Sequence, residues 1–371
     1  VCAAASPTGF GISAISLYEP PWLLDNEWFQ GTIARKFVQH TGTSVRPVSV
    51  EDEVTMAVKA VTNLQREVGC DLQKCAAVVF ASPSFIPLSV ARKHLGEERC
   101  HEESIQRAAQ TLARRLRLPD CRVIGTNWFC AGYAKAMAIL ERRVLPTANL
   151  EQDQFALLVT ASRISRITDY ECKQTGPLFG DLATATLVSR HDSRRYPLHF
   201  QLLEAHAEQQ PASGAFFQFH NRENVLAPTP GGGQARILRR VVFSLDGMGI
   251  ADAAPRAMSS ALAKSLLLAG LQPGEVRHVV PHQAGTAIVR LASMKIEGIG
   301  VQGEVANGIT GRVGNLSSSS IPFALKQLWH KLHGTIACPT AAVGNPGEAK
   351  VAQGCVLLKS TPYHDKRSLA A

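Results

Sequence analysis

Apolar runs of strand length recur along the chain. The clearest cover residues 76–81, 121–125, 155–160, 178–188 and 276–280. Between them, apolar positions fall at helical spacing over residues 51–68, 86–118, 131–144, 253–269 and 286–296. Strands that alternate with helices in this way predict a layered α/β fold around a largely buried sheet. Residues 9–18 alternate enough for a first strand, which Pro20 and Pro21 end because neither can donate to a ladder. Residues 25–39 read as a short helical region. Residues 190–240 carry Pro211, Ser213, Gly214 and the triple Gly231-Gly232-Gly233, which predicts a loop-rich connector or cap.

One local order occurs twice: strand, polar residue at the strand end, helix. It surrounds Cys130 in Asn127-Trp128-Phe129-Cys130-Ala131-Gly132 and His282 in Pro281-His282-Gln283-Ala284-Gly285. The recurrence suggests two similar halves, divided as residues 1–190 and 191–371, without a residue-level repeat.

Composition narrows the class of protein. The chain has 371 residues, 45% of them hydrophobic and 19% charged, which suits a globular chain with ample core. A formal charge of +9 favours anionic partners. Lys and Arg are scattered in short clusters such as Arg114-Arg115, so no nucleic-acid arm is expected. No apolar run approaches the roughly 20 residues of a membrane span. The nine cysteines are odd in number, and only Cys70 and Cys75 lie close together, without the second pair that a zinc site needs. They read as reduced thiols in a cytoplasmic protein, and no metal is expected.

The candidate chemistry starts at Cys130. Free N–H groups at a helix start stabilise a thiolate and lower a cysteine pKa, and the same groups can hold a thioester oxyanion. The competing reading is a packed, inert thiol, since free cysteines are commonly buried. His282 is exposed by the same strand-to-helix geometry or is simply packed. Asn315, in Gly314-Asn315-Leu316-Ser317-Ser318-Ser319-Ser320-Ile321-Pro322, lies where small residues let backbones approach closely, or serves as a turn or cap residue. Gly298-Ile299-Gly300-Val301-Gln302-Gly303 matches a dinucleotide fingerprint, but it follows a helix and is discounted.

The phrases Cys130-Ala131-Gly132, Phe179-Gly180-Asp181, Pro281-His282-Gln283-Ala284 and Gly314-Asn315 through Pro322 occur in the order found in β-ketoacyl-acyl-carrier-protein synthase III. The chain resembles that family, of the thiolase superfamily, over most of its length. The resemblance implies a duplicated fold layered α-β-α-β-α with two mixed five-stranded sheets, usually as a homodimer. It implies Cys130 as the acyl-accepting nucleophile, with His282 and Asn315 donating to a malonyl thioester carbonyl during decarboxylative condensation. No tightly bound cofactor is implied. The substrates would be coenzyme A or phosphopantetheine thioesters, with acyl carrier protein as a partner and Trp28, Lys173 and Gly247 as contacts.

The chain departs from the family in several places. Gly285 replaces the asparagine that usually follows the histidine phrase, and Ala251 stands near the place of an expected aromatic. The C-terminal glycine loop, which would supply a second oxyanion donor, is replaced by residues 344–348, with only Gly354 fitting. These departures keep a second reading open, a synthase-III-like acyltransferase that moves the acyl group to a hydroxyl, amine or sugar.

Overall fold

The computed structural model describes residues 8–29, 35–95, 104–148, 150–214, 216–344 and 347–363. Its strands are β1 (Phe10–Tyr18), β2 (Trp22–Asp25), β3 (Val45–Val48), β4 (Cys75–Ala81), β5 (Arg122–Thr126), β6 (Phe155–Ser162) and β7 (Leu182–Arg190). The remainder are β8 (Phe200–Pro211), β9 (Phe217–Pro228), β10 (Gln234–Leu245), β11 (Val276–Val279), β12 (Glu304–Val305), β13 (Thr335–Val343) and β14 (Lys350–Ser360). Ten of them form one sheet in the order β12-β11-β13-β14-β8-β1-β7-β6-β4-β5.

The expected pair of five-stranded sheets is therefore corrected to one continuous sheet. Its two groups of five meet where β1 and β8 pair at Gly11–Gln201 and Ile12–Phe200. Gly11 is what lets them meet, because a Cβ there would lie 2.1 Å from the Phe200 carbonyl oxygen. Both groups are mixed. β4 runs parallel to β5 and β6 while β7 runs antiparallel to β6, and β13 is parallel to β11 but antiparallel to β14.

Helices cover the sheet in three apolar layers, which gives the thiolase-like α-β-α-β-α arrangement. Helices Glu53–Val68 and Ile105–Arg115 pack with Val78, Phe80, Phe155 and Leu157 on one outer face. Helices Gly247–Ala269 and Thr286–Glu297 pack with Val279, Ala337 and Leu357 on the other. Between them, helices Gly132–Ile139 and Ser320–Gln327 share a core with strands of both groups, including Val79, Leu158, Ile336 and Val356. Every residue of β6 is buried, as a strand covered on both faces must be. The two central helices begin beside Cys130 and Asn315, so the functional phrases converge in the middle layer.

Several local expectations change. Residues 190–240 hold most of β8, β9 and β10 rather than a loop-rich connector. β9 and β10 form a long antiparallel hairpin, and the triple glycine is its tip, with Gly231 and Gly232 at φ 81° and 83°. Charged residues obscured the alternation that buries Phe217, Val225 and Phe243 on one face of the ribbon. The helix expected from residue 253 starts at Gly247, where the Asp246 side chain accepts from Gly249 N. Gly247, Gly249 and Pro255 are poor helix formers, so the cap rather than propensity marks this start. Residues 131–144 divide into helix Gly132–Ile139 and a π-turn, Leu140–Val144. Among the described residues of 86–118 there are two helices, Leu88–Leu95 and Ile105–Arg115. The region 25–39 contains the end of β2, a 3-10 turn at Glu27–Phe29 and the start of helix Arg35–Thr41, while residues 30–34 lie outside the described residues.

Candidate active site

The turn after β5 is built around Asn127. Its carboxamide donates to the Phe85 carbonyl at 2.7 Å, and its oxygen accepts from Phe129 N at 3.2 Å. Phe129 is held at φ 44°, a left-handed conformation that costs a non-glycine residue energy. Cys130 follows in a single 3-10 turn, Phe129–Ala131, before helix Gly132–Ile139. Its carbonyl accepts from Thr340 Oγ1 at 2.8 Å, which ties the turn to β13. Gly132 must lack a side chain, because a Cβ there would sit 2.9 Å from the Ser318 Cβ.

Cys130 Sγ lies 3.4 Å from Ser317 Oγ. Burial pushes the thiol up to about 11, against the opposing pull of the Ser317 hydroxyl and the backbone N–H of Cys130 itself. This reverses the lowered pKa expected from a helix start. Desolvation outweighs the helix end, so the resting group is a neutral thiol and its ionisation requires a base.

The turn after β11 carries His282. His282 N donates to the Pro339 carbonyl at 2.9 Å, and Gln283 N donates to Ser320 Oγ at 2.9 Å. The Gln283 carboxamide holds the turn from inside, donating to the Pro281 and Ala306 carbonyls. His282 is 2% exposed, and burial lowers its pKa to about 3. The imidazole is therefore neutral, with one N–H donor and one lone pair. Its Nδ1 has no hydrogen-bond partner among the described residues.

Asn315 is stitched to the Phe179-Gly180-Asp181 phrase. Asn315 N donates to the Leu178 carbonyl at 2.9 Å, and Gly180 N donates to the Asn315 carbonyl at 3.2 Å. Gly180 permits this approach, since a Cβ there would lie 2.1 Å from the Val313 carbonyl oxygen. Asn315 Oδ1 accepts from Ser317 N at 2.9 Å, which leaves the carboxamide NH2 as the donor end. Buried Asp181 accepts from the backbone N–H groups of Ser49 and Ser165 and from the Ser165 hydroxyl. Burial nevertheless raises its pKa to about 6.

The four consecutive serines join these parts. Ser317 meets Cys130, Ser318 meets Ser162, Ser319 bonds Thr160, Ser162 and the Leu182 carbonyl, and Ser320 accepts from Gln283 N. The run thus ties together the Cys130 turn, the end of β6, the start of β7 and the His282 turn. Cys130, His282, Asn315 and Ser317 line one cavity, otherwise walled by apolar side chains such as Phe129, Ile164, Phe217, Phe243, Ile250 and Ile288. Ser317, Thr340 and the hairpin phenylalanines were not singled out from sequence. Four adjacent hydroxyls beside a strand-end asparagine were the available signal for the first.

The remaining expected residues stand apart from this cavity. Trp28 lines a separate cleft with Phe29, Tyr170 and Arg236, and its indole N–H donates to the Gly233 carbonyl at 3.3 Å. Lys173 is exposed, and Gly247 is the first residue of a capped helix. Gly354 is corrected from a loop position to the middle of β14, opposite Thr340. A Cβ there would lie 2.6 Å from the His206 carbonyl oxygen and 2.9 Å from Ala134 Cβ, so this glycine admits the central helix. In the β13–β14 turn Gly344 N is taken by the Lys350 carbonyl, and residues 345–346 lie outside the described residues. Among the described residues, no group of three or more His, Cys, Asp or Glu side chains could hold a metal, and no helix is long and apolar enough to cross a membrane.

The sequence profile of 3-oxoacyl-[acyl-carrier-protein] synthase III matches residues 125–206, around Cys130, and that of its C-terminal region matches residues 266–342, around His282 and Asn315. The chain is synthase-III-like over both of these regions. Among synthase-III relatives, β-ketoacyl-[acyl-carrier-protein] synthase III of Sulfurovum sp. (strain NBC37-1) is 22% identical over 338 residues, covering 87% of this chain and 88% of the relative. The 3-oxoacyl-[acyl-carrier-protein] synthase III structure from Aquifex aeolicus VF5 superposes with a TM-score of 0.65 at 20% identity, covering 95% of this chain and 100% of that one. The priming β-ketosynthase of the R1128 polyketide pathway gives a TM-score of 0.65 at 20% identity, covering 97% and 99%. The synthase-III-like chain thus shares its fold with a 3-oxoacyl-[acyl-carrier-protein] synthase III and with a polyketide priming β-ketosynthase.

Proposed function

We propose that this chain is an acyltransferase of the condensing type that carries its acyl group on Cys130. The observation that supports this most is the meeting of Cys130, His282 and Asn315 in one apolar cavity, with Ser317 against the sulfur. The neutral imidazole takes the Cys130 proton as the sulfur attacks an acyl thioester, returns it to the departing thiolate as the thioester C–S bond breaks, and acyl-Cys130 remains. The donor would be an acyl thioester of coenzyme A or of an acyl carrier protein. Splitting the transfer into two steps is what a covalent carrier achieves.

In the second step, a malonyl thioester loses carbon dioxide. His282 N–H and the Asn315 carboxamide donate to the enolate oxygen that develops, in a site where water is largely excluded. The carbanion attacks acyl-Cys130, a carbon–carbon bond forms, and the thiolate leaves. A β-ketoacyl thioester results. Loose contacts at Trp28, Lys173 and Gly247 would serve the carrier arm, and the working form would be a homodimer.

One observation favours acyl transfer to a hydroxyl, amine or sugar instead. Gly285 stands at φ 131° with Thr41 Cα 3.3 Å from where its Cβ would be, so this backbone cannot carry the family's asparagine without rearranging. The two readings separate in one experiment. The protein is incubated with a panel of acyl-coenzyme A and acyl-carrier thioesters, and its intact mass is measured. An adduct mapping to Cys130 is expected, and no adduct, or one on another cysteine, would refute the nucleophile. Adding malonyl-carrier protein then gives either carbon dioxide with a lengthened acyl chain, meaning condensation, or an acyl group of unchanged carbon count on a new acceptor, meaning transfer.

A further inference from the structure

A second thiol site lies at the opposite end of β4 and β5 from Cys130. In the parallel ladder Ala77 pairs with Arg122 and Val78 with Val123. Against β6 the register shifts between Cys75 and Ala77. The shift places Cys75 in the apolar layer of Val78 and Phe80, and Cys121 and Val123 pack against the same layer. Cys75 and Cys121 therefore share one apolar cluster at the starts of neighbouring strands, with Cys75 Sγ donating to the Ala77 carbonyl at 3.3 Å.

We propose that Cys75 and Cys121 form a reversible disulfide when the chain meets a hydroperoxide. The two thiols differ in access and in charge. Cys75 is 1% exposed, whereas Cys121 is half-buried and reachable from solvent. The neighbouring Cys75 thiol lowers the Cys121 pKa, against the opposing effects of desolvation and of Asp120, while Cys75 itself is raised. A thiol stabilised as thiolate by a neighbouring thiol is the more reactive of the two. Cys121 sulfur attacks the peroxide oxygen, the O–O bond breaks, and one alcohol or water leaves with a sulfenic acid on Cys121. Cys75 sulfur then attacks the Cys121 sulfur, its proton leaves with the displaced hydroxide as water, and the S–S bond is made. Two thiols are oxidised and one peroxide is reduced. β5 is the last strand in the order of the sheet, so the bond would staple the sheet's edge to its neighbour.

The test treats the whole protein with hydrogen peroxide, blocks free thiols and maps the peptides, so that any oxidation of Cys130 is scored separately. The expected result is a dithiothreitol-sensitive link between the peptides of Cys75 and Cys121, absent in Cys121→Ser. The oxidised wild type should also unfold at a higher urea concentration than the reduced protein, with no such gap in Cys121→Ser. Recovery of Cys121 as a sulfinic acid with Cys75 still free, or a link from Cys75 to Cys70, would overturn the proposal.

Discussion

The turns that follow β5 and β11 are built alike and used differently. Each leaves a parallel strand, passes one strained residue and enters a helix. Each is pinned to β13, through Thr340 on the Cys130 carbonyl and Pro339 on His282 N, and each touches the serine run, at Ser317 and Ser320. The strain falls on Phe129 in the first turn and on Gly285 in the second. The polar side chain is partnered in the first and has an unpaired ring nitrogen in the second. A phenylalanine forced to positive φ persists only where its surroundings over-determine it. The nucleophile's turn is therefore the rigid one, while the histidine's turn obtains its shape from a glycine and keeps a nitrogen for chemistry.

The largest expected effect falls on the rigid turn. Cys130→Ala should abolish thioester loading measured by intact mass, because no other thiol lines the cavity among the described residues. Loading that survives this change would end the distinction between the two turns. The next largest falls on the donors. Asn315→Ala should lower condensation by about 10²–10³ while loading changes much less, since one removed oxyanion donor costs that much. His282→Ala should impair both steps, as it removes the base for a thiol whose pKa is near 11. Equal losses in loading for the two variants would mean that His282 is not the base. A pH series of stability sharpens the same point. His282 titrates near 3 in the folded chain and near 6.5 when unfolded, so its contribution is present above about 6.5 and fades as pH falls towards 3. His282→Gln should flatten that part of the acid limb.

The sequence made much of this comparison legible, and the gaps have physical causes. Cys130, His282 and Asn315 could be found because strand ends and small residues mark where side chains emerge. The single sheet could not be, because it depends on Gly11 admitting Phe200 from nearly two hundred residues away. The β9–β10 hairpin hid because its sequence is interrupted by charged positions such as Arg222, Glu223 and Arg236, since a two-stranded ribbon needs only part of its positions to be apolar. The raised thiol is not legible in sequence because helix-end electrostatics can be read locally, whereas desolvation by tertiary packing cannot.

A smaller effect should come from the glycine of the second turn. Gly285→Asn restores the family's residue type, yet it places a Cβ at φ 131° with Thr41 Cα 3.3 Å away. A cost of about 1–3 kcal/mol in urea unfolding is expected for a non-glycine residue held in such a conformation. A neutral or stabilising result would show that the turn can relax, and would remove the main structural argument for a changed acceptor.

The smallest effect tests the partner of the sulfur. Alkylation of Cys130 by iodoacetamide should be slow at pH 7 and rise about tenfold per pH unit towards the thiol's pKa near 11, because only the thiolate reacts. Ser317→Ala removes the hydroxyl that favours the thiolate, so the whole profile should move to higher pH. The shift should stay modest, since one exchanged hydrogen bond is worth about 1 kcal/mol and burial, the larger effect, is untouched. The same variant leaves Asn315 N, Asn315 Oδ1 and the backbone of the Ser317 turn in place. A profile that moves to lower pH would mean that Ser317 Oγ accepts from the thiol rather than donating to the thiolate, and the serine would then hold the nucleophile in its resting form.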